Sequence, residues 1–209
     1  MSNAHLQSSR DASRHLFTQK AEAVSATVKT VRYLEQAMDH CIGLCHSKDA
    51  ESGPAGAHRL LPEGAKRIAA PAIGPRATEI FAAICRENKI DLLQSDIRGS
   101  LRGQPGRLDV GFTVAEYGIA ETGTLVLDSA EEDIRLTTMF CDIHVVILPA
   151  SKIAARATDI EPEVEKMMKP PGGYVAFITG ASRTADIERV LAIGVHGPRE
   201  LHILIMEEP

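Results

Sequence analysis

Ile143 to Leu148, closed by Pro149, is aliphatic at every position but His144, and similar aliphatic runs recur along the chain between stretches of helical spacing. A strand with aliphatic side chains at both odd and even positions offers water no polar face. It is therefore buried on both sides, as in a parallel sheet covered by helices. The core must be aliphatic for a second reason. The chain has no Trp and only 4% aromatic residues, so Ala, Val, Ile and Leu must fill the interior. A length of 209 residues fits one large domain. We expect a single domain over 1–209, with an N-terminal helix-and-strand part over about 1–60 and a core over 65–209.

The pattern along the chain gives the order of elements. Leu16, Phe17, Ala21 and Val24 mark a helix over 11–24. A strand over 26–31 and a helix over 32–47 follow. Gly53, Pro54, Gly56, Pro62 and Gly64 make 49–66 a loop. A strand is expected over 67–73, with Pro71 pointing to an irregular or edge position. Next come a helix over 77–88 and a brief strand at 92–93. Residues 98–107 hold Arg98, Arg102, Arg107 and three glycines, and read as a solvated loop or as a lid that brings an arginine to an anion. A strand over 110–113, a helical turn over 114–117 and a strand over 124–127 come next. After an acidic turn over 128–133, a helix spans 134–140 and a strand 143–148. A helix over 151–168 is interrupted at Pro162. A strand over 174–178, a helix over 186–193 stopped by Gly194, and a strand over 201–206 complete the chain. Alternating strands and helices define an α/β fold with a largely parallel sheet.

Charge and composition exclude several classes of function. The net charge is −5 and the pI about 5.9, against a nucleic-acid or membrane-surface partner. No apolar run approaches the roughly 20 residues of a membrane span. The polar start (Ser2, Asn3, His5, Gln7) shows no signal peptide, so a cytoplasmic protein is expected. Cys41, Cys45, Cys85 and Cys141 fit no disulfide framework. Cys41 and Cys45 stand four apart on a helix beside His40 and His46, but a pair without a second pair is a weak metal signal, and packing on a helix face explains it. We expect no metal and no bound cofactor.

Two segments concentrate polar chemistry. Residues 118–124 read Gly-Ile-Ala-Glu-Thr-Gly-Thr at the mouth of a strand. Gly123 lets backbone approach a ligand, Thr122 and Thr124 offer hydroxyls, and Glu121 is the one charge. Glu121 is either a surface carboxylate or a nucleophile or general base, in a hairpin folded over the sheet. The second segment is 178–188, Ile-Thr-Gly-Ala-Ser-Arg-Thr-Ala-Asp-Ile-Glu. It leaves the carboxyl end of one strand, where ligands of open α/β sheets bind, and opens a helix. Thr179, Gly180, Ser182, Arg183, Thr184 and Asp186 are its candidate ligand-binding residues, with Ser182 or Thr184 as a cap above an anion site. His196, in a Gly-Val-His-Gly-Pro turn that turn chemistry alone could explain, and Arg135 are further ligand-binding candidates. Arg135 follows the acidic turn and could instead simply pair with Glu131 or Glu132. His144 and His202 start strands and are expected to be satisfied by backbone.

The chain resembles the LutC/YkgG-type lactate utilization proteins of the LUD-domain family. The resemblance rests on Gly118 through Leu127, on Arg135 followed by Asp142-Ile-His-Val-Val146, on Ile178 through Glu188, and on Gly194-Val-His-Gly-Pro-Arg-Glu-Leu-His202. It covers roughly 65–209. The chain departs from the family at Phe140-Cys141 and at Ala181, where proline is usual. The resemblance implies a Rossmann-like fold of the NagB/RpiA/CoA-transferase group. It also implies a non-redox subunit of a three-component system that oxidises L-lactate to pyruvate. Iron–sulfur clusters would sit in partner subunits, and a small carboxylate or other anion would bind here. The alternative is an independent CoA-transferase- or ligase-like enzyme with Glu121 as nucleophile or base, an analogy at the level of the fold. No G-x-G-x-x-G fingerprint follows a strand.

Overall fold

A computed structural model describes residues 3–47, 66–103, 108–185, 191–193 and 197–207. Its first elements are α1 (Asn3–Ala23), β1 (Ala26–Val31), α2 (Leu34–Ser47), β2 (Lys66–Ala69), α3 (Pro75–Glu87), β3 (Ile90–Leu93) and α4 (Ile97–Gly103). Then come β4 (Leu108–Val114), β5 (Tyr117–Ile119), β6 (Thr124–Asp128), α5 (Glu132–Phe140), β7 (Cys141–Pro149) and β8 (Ile153–Ala154). The last are α6 (Glu161–Met168), β9 (Val175–Ile178), β10 (Arg183–Ala185), β11 (Leu191–Ile193) and β12 (Glu200–Met206).

Six strands form the main sheet in the order β1-β12-β7-β4-β2-β3, and every pair is parallel. The expected α/β class and its parallel sheet are observed. The central strand β7 explains why its sequence shows no alternation. Ile143, Val145 and Ile147 face one layer, while Val146 and Leu148 face the other. The first layer is α2 and α3. Ala37, Met38, Cys41, Ile42 and Cys45 are the buried stripe of α2, and Phe81 and Cys85 that of α3. Pro75 stands in the first turn of α3, where its missing N–H costs nothing. Cys41, Cys45 and Cys85 thus pack into the core, and burial pushes the Cys41 thiol well up and that of Cys85 to about 11.

The second layer departs from expectation. It is α1 together with a four-stranded sheet, β8-β5-β6-β9, in which β5 and β9 both run antiparallel to β6. Residues 117–119 are therefore strand rather than helical turn, because Glu116 N–H donates to Val126 O and draws the chain into a hairpin. Strand 174–178 belongs to this sheet and not to the parallel one. The helix expected over 151–168 is split into short 3-10 turns, β8 and α6, with Pro162 at the start of α6. β2 ends at Ala69 between β4 and β3, so Pro71 lies past an interior strand instead of on an edge. The basic loop is partly helix: 97–103 form α4, and the Arg98 guanidinium pairs with Glu132. Residues 183–185 (β10) pair antiparallel with 191–193 (β11), so the end of the helix expected over 186–193 is strand, while 186–190 lie outside the described residues. Among the described residues no helix is long and apolar enough to cross a membrane.

Phe17, Ala21, Leu125, Leu127, Val146, Leu148 and Ile203 fill the space between the sheets. Gly123 sets how closely the hairpin approaches α1. Its φ is +67°, and a Cβ there would lie 2.4 Å from the Ala21 nitrogen. Gly123→Ala combines backbone strain with overpacking against main chain, which costs about 2 kcal/mol or more. Thermal unfolding should shift down by at least about 4 °C.

Candidate functional site

A cleft of about 570 Å³ lies between β9 and α5, beside the starts of β7 and β12. Ser129, Arg135, Thr138, Met139 and His144 form one wall, and Tyr174 with residues 176–182 the other. Successive residues of a strand point to opposite faces. Since 176, 177 and 178 all border the cleft, it is the edge of β9 that faces it. That edge is the one away from β6. The rule that ligands sit at the carboxyl ends of parallel strands does not place this cleft, because the antiparallel β9 covers the sheet near the other end.

The turn between β6 and α5 supplies the polar end. Ala130 N–H donates to Asp128 Oδ1 at 3.0 Å, and Ser129 N–H to Tyr174 O at 2.8 Å. The two bonds pin Ser129 at full burial. Its hydroxyl has no hydrogen-bond partner among the described residues, an uncommon state for a buried polar atom. Arg135 stands one turn into α5 and curls back over this turn. Its Nη1 donates to the carbonyls of Ser129 and Ala130, the latter at 2.8 Å, and its guanidinium lies 5.7 Å from the centre of the Tyr174 ring. The expected ion pair with Glu131 or Glu132 is not what holds it. Glu132 is taken by Arg98.

His144 contributes a neutral imidazole. It is buried, and its Nε2 lies 2.8 Å from Thr113 Oγ1. Burial lowers its pKa to about 3. The partner is a side-chain hydroxyl rather than the expected backbone. His202 is likewise held by side chains, with Nε2 2.9 Å from Glu200 and Nδ1 3.2 Å from Nε2 of His40.

The 178–184 segment enters the cleft as backbone. Gly180 has φ +75°, and a Cβ there would fall 2.4 Å from Val24 O, so only glycine lets the chain turn against the α1–β1 connection. Ser182 N–H donates to Pro198 O at 2.9 Å. Thr179 Oγ1 lies 2.7 Å from Thr124 Oγ1, which lies 2.8 Å from Thr122 Oγ1. This row of hydroxyls leads from the cleft to the tip of the β5–β6 hairpin, where Glu121 stands exposed. Glu121 Oε1 accepts from Ala157 N–H at 2.9 Å, and its own N–H donates to Ala155 O at 3.1 Å. Glu121, Thr122 and Gly123 do not line the cleft.

The structure thus brings together Arg135, Thr179, Gly180 and Ser182 of the expected residues. Arg183 and Thr184 lie in β10. Asp186 and His196 fall outside the described residues. Sequence reasoning passed over Ser129, Thr138 and Tyr174, and it read His144 as structural. Tyr174 beside a Gly-Gly turn was the one available signal, since an exposed aromatic at a strand mouth invites a ligand. Among the described residues no three His, Cys, Asp or Glu side chains group as a metal site.

The buried histidines make stability depend on acid. His144 titrates at about 3 and His40 at about 4 when folded, against 6.5 for an ordinary histidine. The unfolded chain then binds more protons between those values, so stability is complete above about 6.5 and is lost as pH falls toward 3. Melting temperature should decline across pH 6 to 4. His144→Asn should flatten part of that decline and leave the share due to His40.

Comparison with known proteins places this geometry in a family. A crystal structure of a DUF162 family protein from Deinococcus radiodurans has the same fold, with a TM-score of 0.56 at 20% identity over 94% of this chain and 98% of that one. A lactate utilization protein C of Exiguobacterium is 30% identical over 154 residues, covering 72% of this chain and 62% of that protein. One from Geobacillus thermodenitrificans is 35% identical over 104 residues, covering 48% and 43%. An uncharacterized protein of Neisseria meningitidis is 41% identical over 100 residues, covering 46% and 42%. The chain spans about half the length of the curated relatives it matches. The LUD domain family model matches residues 14–206, and the chain belongs to the LUD-domain family.

Proposed function

We propose that this chain is a non-redox subunit of a three-component system that oxidises L-lactate to pyruvate, and that it binds a small carboxylate in the cleft between β9 and α5. Several relatives are named lactate utilization protein C, which supports the setting. The observation that carries the site is the Ser129 hydroxyl, buried beside Arg135 and without a partner among the described residues. A buried hydroxyl left unpaired costs free energy, which a ligand oxygen would recover. The described bonds of Arg135 use Nη1 alone, so Nε and Nη2 present the parallel N–H pair that a carboxylate accepts. His144 adds a neutral donor or acceptor at the same wall. Electron transfer belongs to iron–sulfur partner subunits in this reading.

Calorimetric titration of the purified chain with L-lactate tests the site. Ser129→Ala removes a hydroxyl that no described protein group uses, so the melting temperature should be unchanged or rise. Affinity should fall several-fold, as for the loss of one hydrogen bond of about 1 kcal/mol. Unchanged affinity would remove the hydroxyl from the site. Glu121 keeps a second reading in play, because its carboxylate is exposed and accepts only one described backbone bond. Glu121→Gln separates the two. The cleft reading expects unaltered lactate affinity, whereas a transferase with Glu121 as nucleophile expects loss of acyl-CoA turnover.

A further inference from the structure

The cleft is far larger than lactate. A three-carbon acid occupies only its polar end, while about 570 Å³ is the size of pockets that enclose drug-sized ligands. Beyond Arg135 and Ser129, one part of the wall is apolar. Tyr174 and Met139 border the cleft with 54% of each surface exposed. Large apolar side chains left half bare around one concave site mark a binding surface. Ala176, Ile178 and Leu201 continue the apolar lining.

Resting on the carboxylate reading above, we propose that the preferred ligand is a 2-hydroxy or 2-oxo acid with a bulky, flat apolar substituent rather than lactate itself. The carboxylate meets Arg135 and Ser129. The substituent lies against the Tyr174 ring, where ring faces and edges of aromatic groups attract one another in offset or edge-on contact, and reaches Met139, one helical turn from Arg135 on the same face of α5. Arg135 is already 5.7 Å from the Tyr174 ring, so the charged end and the aromatic wall adjoin and one compact ligand reaches both.

The test is titration of the purified chain with L-lactate and with L-3-phenyllactate, which differ only by the ring. Phenyllactate should bind roughly tenfold tighter or better. Met139→Ala, at an exposed position of α5, should keep its melting temperature and lose most of that advantage. Equal affinity for the two acids would overturn this inference and leave the carboxylate site standing. So would an advantage that survives in Met139→Ala. Binding of neither acid would overturn the carboxylate site and this inference with it.

Discussion

The burial of β7 on both faces governs the rest of the molecule. With Ile143, Val145 and Ile147 turned one way and Val146 and Leu148 the other, the sheet cannot leave either side to water. Helices α2 and α3 cover one side. On the other, α1 alone is too narrow, and the β5–β6 hairpin with β8 and β9 completes the cover. Strands laid over strands leave a gap where the covering sheet ends. The cleft is that gap, bounded by the free edge of β9 and closed at its polar end by the turn into α5.

The parallel sheet was legible because buried aliphatic strands announce themselves, and β1, β7 and β12 stand where their sequences put them. The covering sheet was not. β5 is three residues long, and nothing in Tyr117-Gly118-Ile119 distinguishes a strand from a turn until Val126 pairs with it. The strand over 174–178 was found but assigned to the wrong sheet, since residue pattern does not encode strand direction. Residues 183–185 carry caps and charges that suit a helix start, yet their described backbone pairs with 191–193. Long-range pairing overrode local preference there.

The site divides along the same line. Thr179, Gly180 and Ser182 were legible because glycine and hydroxyl residues past a strand are a local signal. Arg135 was found for its charge, although its partners are carbonyls and not acids. Ser129 was invisible, because what singles it out is a burial and an unmet hydrogen bond that only the fold creates. Glu121 shows the converse. Its sequence setting drew attention, but the hairpin carries it to an exposed tip, from which the hydroxyls of Thr122, Thr124 and Thr179 lead back to the cleft.

Backbone amide shifts of the isotopically labelled protein, followed by nuclear magnetic resonance as L-lactate is added, test most directly where the ligand goes. The account predicts that the largest changes fall on 129–139 and 176–182, on both walls of the cleft, with the hairpin tip at 121 and its neighbours 155–157 little affected. Changes confined to 118–124 and 155–157 would contradict it and move the site to Glu121.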